Sequence, residues 1–176
     1  MNIDEIYVSA CRGAFDRNVY DVRLIDWLEN VRPQIPLNDY AKKQLPAIMP
    51  HGLFGTRRQD SLIRKSGLIQ IDVDGKHQEK GWNAEEFVEW LQFNDYKEIA
   101  AAGLSCSGSG VYALVAVNVD EDAEHDEVVE VLVEKFELLH GVKCDKPVST
   151  NLSSLRFASP YMPYINLDVK PMDIKL

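Results

Sequence analysis

The stretch best suited to chemistry is Ser66-Gly67-Leu68-Ile69-Gln70-Ile71-Asp72-Val73-Asp74-Gly75. Its alternation predicts a strand, with Ile69, Ile71 and Val73 on one face and Gln70, Asp72 and Asp74 on the other. Aspartates are poor strand formers, and like charges on one face repel. Residues i and i+2 lie roughly 6.5–7 Å apart along a strand, so Asp72 and Asp74 can converge on one cation. Hard oxygen ligands favour Mg²⁺ or Mn²⁺. The alternative is two solvated aspartates capping the turn at Gly75-Lys76.

Three other segments carry candidate groups. Residues 46–65 hold His51, Arg57, Arg58, Arg64 and Lys65 against one acid, Asp60, and within them residues 50–58 read as an irregular loop. Such a loop beside carboxylates suits a phosphate-bearing ligand, with Arg57 and Arg58 as nucleic-acid contacts. Equally, these are surface charges in weak ion pairs. Ser105-Cys106-Ser107-Gly108-Ser109-Gly110-Val111-Tyr112 is a Ser/Gly-rich hairpin turn, whose N–H groups and hydroxyls can cradle a phosphate or simply make a turn. It lacks the Gly-x-x-x-x-Gly-Lys pattern of a P-loop. Arg156, between Leu155 and Phe157, is expected to project opposite them, toward a phosphate or toward Asp145. Nucleophilic catalysis finds little support: there is no Gly-x-Ser-x-Gly elbow, and His51, His77, His125 and His140 form no clustered motif.

These residues must be positioned by a chain of 176 residues, enough for one domain, with 45% hydrophobic and 27% charged residues. No apolar run is long enough to span a bilayer, so no membrane partner is expected. An odd set of cysteines, Cys11, Cys106 and Cys144, without Cys-x-x-Cys spacing fits a reducing cytoplasm rather than a zinc knuckle. A net charge of −9 works against nucleic-acid binding by the whole surface but not by a local basic groove.

Along the chain, residues 5–11 predict a strand, residues 20–31 a helix ended by Pro33, and Asn38 the cap of a short helix. From residue 68 the pattern reads strand, helix capped by Asn83, strand over 98–105, strand over 111–119, helix over 123–140 stopped by Gly141, and a last strand over 155–158. The order βαββαβ predicts an α+β, ferredoxin- or RRM-like unit over about residues 67–159. Residues 1–65 would form an N-terminal αβ extension with the basic loop, and 160–176 a strandless tail or linker within a single domain. RRM-type RNA binding uses exposed aromatics on the central strands. Gln70, Asp72 and Asp74 stand there instead.

In order and spacing, Asp72-x-Asp74, Ser105-x-Ser107-Gly108-x-Gly110 and Asp145 before the strand of Arg156 resemble the archaeo-eukaryotic primase–polymerase superfamily. The resemblance is closest to the N-terminal domain found with VirE-type helicases, and spans about residues 45–166. It implies a metal-dependent nucleotidyltransferase acting in replication of a mobile element or phage. Its partners would be a DNA template and primer, nucleoside triphosphates, and a helicase or P-loop ATPase module in cis or trans. Asp72, Asp74 and Asp145 would hold Mg²⁺ or Mn²⁺, and Ser107, Ser109, Gly110, Tyr112 and Arg156 would meet the nucleotide. One departure is Tyr112, where a histidine usually contacts the nucleotide; a phenol supplies no positive charge at neutral pH. Rival readings are a nucleic-acid-binding replication module that keeps the fold, and a metal-dependent nuclease or other phosphotransferase.

Overall fold

The computed structural model describes residues 1–119 and 123–175. The N-terminal part is more strand-rich than its periodicity predicts. Strand β1 (Tyr7–Cys11) is followed by β2 (Tyr20–Arg23), helix α1 (Leu24–Asn30), helix α2 (Asp39–Lys43), and strands β3 (Ala47–Met49), β4 (Gly52–Phe54) and β5 (Leu62–Lys65). Residues 20–31, read as one helix, therefore divide. Val22 aligns with Val8 across an antiparallel β1–β2 pair, and the helix begins only at Leu24. Asn38 does cap α2, accepting the Ala41 N–H at 2.9 Å. The basic segment is not an irregular loop, because β4 and β5 form an antiparallel hairpin whose turn carries Arg57 and Arg58. The buried Ser9 hydroxyl on β1 accepts the Phe54 N–H at 2.8 Å and fastens this hairpin to β1.

The second part follows its pattern more closely. It comprises β6 (Leu68–Val73), α3 (Ala84–Phe93), β7 (Ile99–Leu104), β8 (Val111–Asn118), α4 (His125–His140), α5 (Lys146–Thr150), β9 (Arg156–Phe157), β10 (Tyr164–Ile165) and β11 (Met172–Asp173). Asn83 caps α3 by accepting the Glu85 and Glu86 N–H groups, and Gly141, at φ 64°, ends α4 in the left-handed conformation. Strand β8 lies between β6 and β7, antiparallel to both. The chain is thus an α+β domain with antiparallel sheets. The strand expected to complete a ferredoxin-like sheet goes elsewhere, because β9 pairs with β3 in the N-terminal sheet. The tail is not strandless: β10 extends the sheet beside β7, and β11 runs parallel to the end of β8. Its last residue, Leu176, lies outside the described residues.

Both faces of this sheet are covered. Ile69, Ile71, Val73, Val111, Ala113, Val115 and Val117 pack with Phe87 and Leu91 of α3 and Val129, Leu132 and Phe136 of α4. The opposite face, including Leu68, Tyr112, Leu114 and Ala116, packs on Val8, Ala10 and Ile48 of the N-terminal sheet and on Leu24 and Leu28 of α1. Period-two alternation thus serves two cores.

His51, in the β3–β4 turn, joins the layers. Its Nε2 accepts the Gln70 N–H of β6 at 3.1 Å. Its Nδ1 lies 3.1 Å from the Leu152 carbonyl, to which it donates in this tautomer. Burial above all, and then the nearby His125, hold the His51 pKa down to about 4. A charged ring would lose its acceptor to Gln70. Because the folded-state pKa lies below the ordinary value of 6.5, His51 stabilises the fold fully above pH 6.5 and loses that contribution as pH falls toward about 4. His140, buried among Phe87, Trp90, Tyr96 and Phe136 and also lowered to about 4 by burial, acts in the same direction. Urea denaturation at neutral pH should find His51→Ala about 2–4 kcal/mol less stable. Its stability should also decline less between pH 6.5 and 4 than that of the wild type; an equal decline would place the acid sensitivity elsewhere.

Candidate functional site

Asp72 lies near the end of β6, in register with Tyr112 on β8. Its Oδ1 accepts a hydrogen bond from Arg156 Nη1 at 3.2 Å. Arg156 is 4% exposed, and its guanidinium carbon sits 4.6 Å from the centre of the Tyr112 ring. The side chain of β9 is therefore held between a carboxylate and an aromatic face. The Asp145 N–H donates to the Asp72 carbonyl at 2.7 Å, which brings the start of α5 to the same strand end. The Asp145 carboxylate caps α5 by accepting the Val148 N–H at 3.4 Å. Burial pushes the Asp72 pKa up; Arg156 opposes the rise and the charge of Asp145 adds to it.

Asp74 has a different cationic partner, although its charge also raises the Asp72 pKa. Its carboxylate accepts the Lys76 N–H at 3.1 Å and pairs with Lys76 Nζ at 2.6 Å, starting the single turn Gly75–His77. Partial burial raises its pKa, but the Lys76 contacts outweigh this and the net shift is downward. Among the described residues, no group of three or more His, Cys, Asp or Glu side chains is placed to hold a metal ion. Of the expected set, Asp72 pairs with Arg156, Asp74 pairs with Lys76, and Asp145 caps α5. Nor does Arg156 pair with Asp145; its partner is Asp72.

The Ser/Gly turn lies beside Asp74. A Cβ on Gly75 would sit 2.0 Å from the Ser109 carbonyl oxygen, so this approach requires glycine. The hydroxyls of Ser105, Ser107 and Ser109 form a chain with steps of 3.1 and 3.0 Å, and Ser105 Oγ accepts the Gly110 N–H. Ser107 and Ser109 are exposed, whereas Gly110 and Tyr112 are buried. Tyr112 does not face a ligand from this turn. It forms the floor under Arg156, and burial raises its pKa.

The larger concavity lies elsewhere. A cleft of about 740 Å³ is lined by Ala14, Phe15, Arg17, Thr56, Arg57 and Arg58. The loop after β1 forms one wall and the β4–β5 turn the other. Arg58 is engaged by Asp60 at 2.6 Å. Phe15 and Arg17 escape a periodicity-based reading because they occupy a short loop between strands. The available signal is an aromatic and two arginines within Arg12-Gly13-Ala14-Phe15-Asp16-Arg17.

These features define an α+β domain with a two-sided core, a buried carboxylate–guanidinium pair and a separate basic cleft. Residues 40–155 match the family described as BT4734-like, N-terminal domain, and the chain belongs to that family. This match overturns the resemblance to the archaeo-eukaryotic primase–polymerases and the VirE-associated domain. No curated protein and no solved structure matches the chain. Among the described residues, no helix is long and apolar enough to cross a membrane.

The Asp72–Arg156 pair makes a direct structural prediction. Arg156→Ala leaves a largely buried carboxylate without its cation and should cost about 1–3 kcal/mol, below the full buried-pair value because Asp72 keeps some exposure to solvent. Adding Asp72→Asn should recover part of that loss in a denaturation double-mutant cycle. Strict additivity would show that the two side chains are not coupled.

Proposed function

We propose that this chain is a nucleic-acid-binding domain that takes a sugar–phosphate strand in the cleft between Arg17 and the Arg57-Arg58 turn. The supporting observation is local basicity on an acidic chain: arginines from two separate segments converge on one cleft, while the net charge is −9. The acidic remainder would repel phosphate and confine binding to that cleft. Fluorescence anisotropy with a labelled oligonucleotide tests the reading. Arg17→Ala combined with Arg57→Ala should weaken binding and reduce the salt slope by about 1 for each phosphate that no longer meets a guanidinium. Arg58→Ala should do less, since Asp60 already holds that guanidinium. An unchanged affinity and salt slope in the Arg17/Arg57 double variant would remove the cleft from the binding surface.

A second reading is nucleotidyl or phosphoryl transfer at the end of β6. It is favoured by Asp72, Asp145 and the buried Arg156 meeting there beside the Ser107–Ser109 turn. Use of Mg²⁺ or Mn²⁺ would require Arg156 and Lys76 to release their carboxylates. Incubating labelled primed template with nucleoside triphosphates separates the readings: extension indicates a polymerase, shortening a nuclease, and binding without change the first proposal.

A further inference from the structure

The geometry points to a base-stacking clamp, formed by Phe15 and Tyr40, that makes the basic cleft selective for single-stranded nucleic acid. This inference rests on the nucleic-acid reading of that cleft and names the form of ligand it takes.

Phe15 and Tyr40 are 65% and 71% exposed. They form a tilted pair, with ring centres 6.4 Å apart and planes inclined at 38°. A base sandwiched between parallel rings needs them roughly 6.8 Å apart, twice the ~3.4 Å rise of stacked bases. To admit a base both rings must turn out of their tilted contact into parallel planes, and their exposure leaves room for that. The backbone holds the two carriers together: the Ala14 N–H donates to the Lys43 carbonyl at 2.7 Å, joining the Phe15 loop to the end of α2. A Cβ on Gly13 would lie 2.9 Å from that same carbonyl oxygen, so the approach is close along the join.

Charge is placed to match. Phe15 lines the cleft together with Arg17, Arg57 and Arg58, and Tyr40 lies against Phe15 beside that lining. A strand with its phosphates on the arginines would present its bases toward the two rings. Aromatic rings beside a cationic groove bind any unpaired base, because every base has a π-face. Bases paired inside a duplex are stacked on one another and cannot enter. Asp16 and Asp39 lie in the same two segments, and they would repel phosphates toward the arginine side.

The test compares single-stranded and duplex oligonucleotides, as DNA and as RNA, by anisotropy. A 2-aminopurine base reports stacking as loss of fluorescence. Wild type should prefer the single strand and quench the probe. Phe15→Ala and Tyr40→Ala should each weaken single-strand binding roughly 5- to 100-fold and relieve quenching, with little effect on duplex binding. Tyr40→Phe should retain both properties, and Tyr40→Leu, which keeps the helix but removes the ring, should lose them. If the aromatic variants bind as wild type while Arg17→Ala with Arg57→Ala weakens binding, the clamp is overturned and the nucleic-acid reading stands. If wild type binds neither form, both fall.

Discussion

The structure depends on burying a strand that is polar on one face. β6 sends Ile69, Ile71 and Val73 into one core, which leaves Gln70 and Asp72 facing the N-terminal sheet. Buried polar groups are tolerable only when partnered, and the partners come from the N-terminal layer and its attached strand. His51 satisfies the Gln70 backbone, and Arg156, on the strand paired to β3, satisfies Asp72. The two layers are thus held by specific polar bonds as well as by apolar packing. The Gln70 side-chain oxygen is the exception on this face, buried without a partner among the described residues.

That arrangement changes what the aspartates can do. A strand-end Asp-x-Asp invites a metal, and the spacing is right for one. The backbone turns after Val73, however, and Asp74 bonds within its own turn, while Asp72 is drawn inward to Arg156. Tyr112 lies under the Arg156 guanidinium, so the pair is enclosed by an aromatic face as well. The more open surface is the cleft beside β1, where Arg17, Arg57 and Arg58 stand beside the exposed Phe15 ring.

Elements with a long internal period were legible from sequence. β6, β7 and β8 run over six to eight residues, and α3 and α4 bring their own signals, the Asn83 cap and the Gly141 stop. The basic character of the Arg57-Arg58 turn was equally plain. Apart from β9, which falls within the strand expected over 155–158, strands of two to four residues were not legible, because a period cannot be read from so few positions. β2 was absorbed into a helical pattern, β4 into a loop, β3 and β5 into the basic segment around it, and β10 and β11 into a tail.

By itself the sequence determined the α+β class, the antiparallel core strands and the residues able to carry charge. It did so because side-chain periodicity and capping act over a few neighbouring positions. Tertiary structure alone decided that β9 joins β3, that Arg156 meets Asp72 rather than Asp145, and that Phe15 meets Tyr40. Each of those choices brings together residues far apart in the chain. Burial and hydrogen-bond satisfaction of the whole fold select such pairings, and local pattern does not encode them.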